Sequence, residues 1–173
     1  IVLYFSDNGP NGWRWNKNMR GRKGSTDEGG VRVPFVIRWP GEIEAGSEIS
    51  EIAGSIDLLP TLADMADIPV GSEKPLDGRS IKPLLLGTAD TWPDRRLFAH
   101  WRGNVSVRTQ QYRLDRDGRL YDLTGDLEQE TDAADAYPAV AESLRVAVDR
   151  WEAEVLAGLE NTDRPFPVGY PAF

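Results

Sequence analysis

The chain has 173 residues, enough for one hydrophobic core with a small appended unit. Its 28 acidic residues outnumber 20 basic ones, for a net charge of −8, which argues against nucleic acid as a partner. There is no cysteine, so a disulfide framework, a thiolate zinc site and a cysteine nucleophile are excluded within these residues, and no apolar run approaches the roughly 20 residues that span a bilayer.

Ile1-Val2-Leu3-Tyr4-Phe5 is an apolar run ended by a turn, the pattern of a buried strand in a parallel sheet. Ser6-Asp7-Asn8-Gly9 follows it. Ligands of open α/β sheets sit beyond the carboxyl ends of strands. There Asp7 offers a carboxylate and Asn8 an amide oxygen, hard donors suited to Ca²⁺ or Mg²⁺. An Asp-Asn-Gly turn is also a common structural device, since these residues favour turns for backbone reasons. Residues 9–34 hold eight glycines or prolines and little periodicity, which predicts a long loop rather than a helix. Within it Lys23 lies 15 positions after Asn8, inside Gly21-Arg22-Lys23-Gly24-Ser25-Thr26-Asp27-Glu28-Gly29-Gly30. Glycines let a ligand approach the backbone, and the ammonium is a point charge for an oxyanion. An anion held between a metal and a lysine fits the two clusters together. Basic residues concentrate here (Arg14, Lys17, Arg20, Arg22, Lys23, Arg32, Arg38), a local cationic loop on an acidic chain. Trp13 and Trp15 either pack this loop on the core or form a wall for a sugar or aryl ring.

Phe35 to Trp39 predicts a second short strand, closed by Pro40-Gly41. After an acidic turn region, Leu58, Leu59, Leu62, Met65 and Ala66 recur at helical spacing, with Asp57 as the expected N-cap and Pro60 in the first turn. Ser80 to Leu86 predicts a short helix stopped by Gly87. Beyond residues 88–94 come short alternating strands: Leu97–Trp101, Val105–Thr109, Tyr112–Asp115 and Arg119–Asp122, with Asp117-Gly118 as a hairpin turn. From Pro138 to Ala157, Val140, Leu144, Ala147, Val148, Trp151 and Val155 form one apolar stripe, a helix expected to cover one face of those strands. His100 is the single histidine. It is a candidate substrate contact beside Trp101, against the commoner structural role of a lone histidine. Arg164 to Phe173 holds three prolines and no period, so residues 159–173 are expected to be an extended tail.

Several of these stretches together resemble the later half of a type I (formylglycine-dependent) sulfatase, or arylsulfatase. They are Ser6-Asp7-Asn8-Gly9-Pro10, Gly21-Arg22-Lys23-Gly24-Ser25-Thr26-Asp27-Glu28-Gly29-Gly30-Val31-Arg32-Val33-Pro34 and Arg38-Trp39-Pro40-Gly41. Further along come Ser55-Ile56-Asp57-Leu58-Leu59-Pro60-Thr61-Leu62, Asp77 to Gly87, Val107 to Leu114 and Leu120-Tyr121-Asp122-Leu123. The resemblance implies an α/β fold. Residues 1–90 would be the end of an alkaline-phosphatase-like sheet domain, and residues 91–158 a small α+β subdomain of antiparallel strands packed by one C-terminal helix. It also implies sulfate ester hydrolysis, with Asp7 and Asn8 as Ca²⁺ ligands, Asn8 also near the sulfate, and Lys23 on a sulfate oxygen and the leaving oxygen. The expected partner is a sulfated small molecule or glycan. In the wider superfamily, relatives acting on phosphate esters usually place histidine after this aspartate, a ligand suited to transition metals, so Asn8 speaks for one hard ion.

The formylglycine motif, two further metal-binding aspartates, a second lysine and the histidines of that family have no counterpart here. The chain begins in a strand without a methionine. It is therefore expected to be a portion of a longer, periplasmic or secreted protein and inert without the missing N-terminal half. The alternatives are a phosphodiesterase or phosphonate monoester hydrolase of the same superfamily, and a non-catalytic module that binds sulfated glycans through its cationic loop.

Overall fold

The computed structural model describes residues 1–71 and 73–157; the expected extended tail lies outside the described residues. Strand β1 (Val2–Phe5) pairs antiparallel with β2 (Phe35–Arg38), placing Val2 opposite Arg38 and Phe5 opposite Phe35. The loop between them carries a 3₁₀ turn at Trp13–Trp15 and one short helix, α1 (Glu28–Val31). This differs from the parallel, buried strand that the unbroken apolar run predicts. Such runs belong to strands covered on both faces, and among the described residues β1 has β2 as its one hydrogen-bonded neighbour. Val2, Tyr4, Phe5, Phe35 and Val36 are consequently exposed.

Helix α2 (Leu58–Met65) and helix α3 (Lys82–Leu85) enclose a small core of Met65, Ile81 and Leu85, against which Ile37, Trp39, Ile43 and Trp92 pack. Gly87, at φ +64°, ends this helical segment where the sequence places its stop. Asp57 stands at the expected N-cap of α2, yet its side chain does not cap it. Fully buried, the carboxylate instead accepts the backbone N–H groups of Gly54 (2.8 Å) and Arg79 (2.9 Å) and takes the Arg95 guanidinium at 2.8 Å. Three chain segments thus converge on one charge. A Cβ at Gly78 would lie 1.9 Å from the Ile56 carbonyl oxygen, so the turn that delivers Arg79 to it requires glycine.

The second layer is a meander of β3 (Leu97–Trp101), β4 (Asn104–Arg108), β5 (Tyr112–Leu114) and β6 (Leu120–Asp122). Helix α4 (Pro138–Trp151) covers it, as the apolar stripe predicts, and continues as a π-helical turn over Glu152–Leu156. Strand alternation sorts the side chains onto two faces. Val107, Leu114 and Leu120 pack with Ala141 and Leu144 of α4, joined by Phe98 and Tyr112. The opposite register positions, Trp101, Ser106, Arg108, Arg113 and Tyr121, turn the other way, and there the sheet meets the loop of residues 19–30.

Candidate active site

Two backbone hydrogen bonds press the turn after β1 onto the lysine loop. The Gly9 N–H donates to the Gly30 carbonyl at 2.8 Å, and the Lys23 N–H to the Pro10 carbonyl at 3.0 Å. The approach is so close that a Cβ at Gly9 would lie 2.0 Å from the Gly29 oxygen, and one at Gly30 2.2 Å from the Ser25 oxygen. Glycine at these positions is therefore what lets Asp7-Asn8 and Lys23 share one edge of the fold.

The loop's inner turns are shaped by Asn16. Buried at 1 % exposure, it donates Nδ2 to the carbonyls of Met19 (2.8 Å) and Gly21 (3.1 Å). The site side chains themselves stay uncommitted. Asp7 is exposed and takes only the Ser6 hydroxyl at 3.4 Å, and neither the Asn8 amide nor the Lys23 ammonium pairs with a described side chain. Asp7 and Asn8 thus offer one carboxylate and one amide oxygen, a hard-oxygen pair fit for Ca²⁺. The pair is a partial donor set, because the described residues contain no group of three or more acidic or histidine side chains placed to hold a metal.

The loop is clamped from below by a charge cluster that sequence reasoning finds only in part. Glu28 and Arg32, both charged residues of the loop's motif, pair at 3.0 Å. The dominant partner is Arg113 of β5, whose Nη2 lies 2.8 Å from Glu28 Oε2, with Arg108 Nε at 3.5 Å. Both members of the Glu28–Arg113 pair are nearly inaccessible, at 4 % and 2 % exposure. Arg113 also donates to the Thr26 carbonyl (2.8 Å), as does Ser106 Oγ (2.7 Å), while Gln129 Oε1 accepts the Glu28 N–H at 2.8 Å. Burial pushes the Glu28 carboxyl up, but the guanidiniums of Arg113, Arg108 and Arg32 outweigh it and hold the group below its ordinary value. A second tie runs from Arg20 to the Tyr121 hydroxyl (2.5 Å) and to Asp115 (3.5 Å). No local pattern marks Arg113 or Gln129 as partners of a residue 85 or 101 positions away.

His100 and Trp101 go to opposite faces of β3. His100 lies on the helix side, its ring 6.3 Å from that of Trp151 and its Nε2 accepting the Gly103 N–H at 3.1 Å. Trp101 faces the lysine loop, its indole nitrogen 3.6 Å from where a Cβ on Gly24 would stand. Trp13 lies under the Arg22 guanidinium, whose Cζ is 5.4 Å from the ring centroid.

With the site's geometry in view, comparison with known proteins becomes specific. The family described as Sulfatase matches residues 1–68, which include both polar clusters. Over these residues the chain is a sulfatase-family sequence. It is 41 % identical over 124 residues to human arylsulfatase A, covering 65 % of this chain and 24 % of that protein. It is 45 % identical over 102 residues to steryl-sulfatase of Rattus norvegicus, covering 57 % of this chain and 18 % of the relative. Among solved structures, Ps i-CgsB in complex with k-i-k-neocarrahexaose superposes with a TM-score of 0.72 at 25 % identity, over 86 % of this chain and 35 % of that one. Other matching structures are described as sulfatases. The described residues thus form an α/β arrangement like part of the alkaline-phosphatase-like fold of those sulfatases. The chain spans about a quarter, or less, of the length of the curated relatives named here.

Proposed function

We propose that the whole protein hydrolyses sulfate esters and that this chain supplies the lysine and part of the metal site. The observation that carries this reading is the docking of the Asp7-Asn8 turn onto the Lys23 loop through the Gly9–Gly30 and Lys23–Pro10 hydrogen bonds. It puts two hard-oxygen donors and an uncommitted ammonium on one edge. The similarity to arylsulfatase A and steryl-sulfatase supports the choice of sulfate as the anion.

In this proposal Asp7 and Asn8 are ligands of a Ca²⁺, which when bound supplies positive charge that polarises the ester's sulfur–oxygen bonds. A formylglycine outside these residues supplies the nucleophile. Lys23 donates to a sulfate oxygen and stabilises the charge that develops on the bridging oxygen as its bond to sulfur breaks. Asn8 orients the sulfate from the strand end. The division suits a transfer whose transition state spreads charge over several oxygens and needs fixed donors more than covalent help. Residues 1–90 then carry the catalytic portion, and residues 91–158 brace its lysine loop.

The test is turnover of an aryl sulfate by the whole protein. Hydrolysis that disappears on calcium chelation and returns on re-addition is the expected result, with the separately expressed 173-residue chain inert. Preference for an aryl phosphate, or turnover indifferent to calcium, would overturn the reading.

A further inference from the structure

The tip of the β3–β4 hairpin carries an anomaly. Trp101 pairs with Asn104, leaving Arg102 and Gly103 as a two-residue turn, both with left-handed backbone at φ +49° and +79°. Such turns favour Asn-Gly or Gly-Gly, because a left-handed first position strains a residue with a long side chain. An arginine held there at a steric cost points to use of its side chain. That side chain lies over Trp101, its Cζ 5.7 Å from the ring centroid, and Trp101 is 50 % exposed at the very place where the sheet touches Gly24. One residue before Lys23 in the loop, Arg22 stacks on the 60 % exposed Trp13. Neither Arg22 nor Arg102 forms an ion pair with a described acidic residue, although the chain as a whole is strongly acidic. In the loop, Lys23 thus falls between Arg22, which lies on one exposed tryptophan, and Gly24, which lies against the other.

We propose that Trp101 and Arg102 form a specificity subsite that selects a sulfated saccharide bearing a second anionic group beside the sulfate being cleaved. The indole supplies a flat apolar face for the sugar ring, and the guanidinium pairs with the second sulfate or carboxylate. Arg22 on Trp13 is a second such stack, one residue before Lys23. The inference rests on the sulfatase reading above, and goes beyond it by naming what the hairpin recognises.

The experiment compares the whole protein with its Arg102→Asn and Trp101→Ala variants on a disulfated and a monosulfated form of one saccharide. Asparagine accepts the left-handed turn, so Arg102→Asn should melt no lower than the parent, while its preference for the disulfated substrate in kcat/KM falls about tenfold, the size of one charge-assisted contact. The loss should appear in KM more than in kcat. Trp101→Ala should raise KM for both saccharides, and Trp101→Tyr should restore most of it. An unchanged preference in Arg102→Asn, or a parent protein indifferent to the second anion, overturns the subsite while leaving sulfatase activity standing. Absence of aryl sulfate turnover in the parent overturns the sulfatase reading itself, and the subsite with it.

Discussion

Lys23 is an exposed cation on a loop whose backbone is fixed by neighbours, so its removal should affect chemistry and spare the fold. Lys23→Ala in the whole protein is expected to lower kcat by roughly two to three orders of magnitude, as loss of one preorganised oxyanion donor does. Its melting temperature should stay near that of the parent; steady-state kinetics beside thermal denaturation checks both halves. Glu28 is the converse case, buried and committed. Replacing it with glutamine leaves Arg113 as an uncompensated buried cation, a loss of about 3–5 kcal/mol by the measure of broken buried pairs. Its titration gives a second readout. The folded carboxyl is held below its ordinary value of 4.5, so the stability it contributes is full above that value and drains away as pH falls through the lowered folded one. The acid limb of a stability-versus-pH curve should therefore flatten in Glu28→Gln. The sequence singles out Asp7, Asn8 and Lys23 as candidates because their residue types declare their chemistry. It does not single out Arg113, because a guanidinium in a strand says nothing about which distant carboxylate it will meet.

At the scale of elements, the meander, its hairpin turn and the covering helix follow from period-two and period-3.6 patterns. The strands fall within a residue or two of expectation, and the helix starts at Pro138 as expected but turns π-helical after Trp151. The pattern could not tell what covers the sheet's other face. That side carries serine, two arginines, a tryptophan and a tyrosine, which read as solvated positions, and it is instead the seat of the lysine loop. The strand β1 misleads for a related reason: an unbroken apolar run reports cover on both faces, and cover is a property of neighbours. Gly30 links these elements. With an alanine there, the new methyl would collide with the Ser25 and Arg22 carbonyl oxygens, at 2.2 and 2.8 Å. Gly30→Ala should lower stability by about 1–3 kcal/mol, as overpacking does, and reduce kcat/KM although position 30 bears no reactive group. Chemical denaturation with parallel kinetics tests this; a stable variant with full activity would contradict the close-packed seat described for the loop.

For the molecule as a whole, the described residues form two small cores, one around Met65, Ile81 and Leu85 and one around Val107, Leu114 and Leu120. Two sets of contacts knit them. Asp57 gathers Gly54, Arg79 and Arg95 ahead of β3, and Gln110 reaches back to the backbone of Ser50 and Ile52 at 2.8 and 2.9 Å. The apolar faces of β1 and β2 remain open in this arrangement, and no described helix is long and apolar enough to cross a membrane.

The Glu28–Arg113 clamp has a thermodynamic corollary. It couples the order of the lysine loop to the order of the β4–β5 ladder, and the coupling free energy acts equally in both directions. A sulfate-mimicking inhibitor seated on Lys23 should slow hydrogen–deuterium exchange at the backbone amides of Val107 and Leu114, which face α4 and touch no ligand. The substrate edge would then be felt through the full thickness of the sheet.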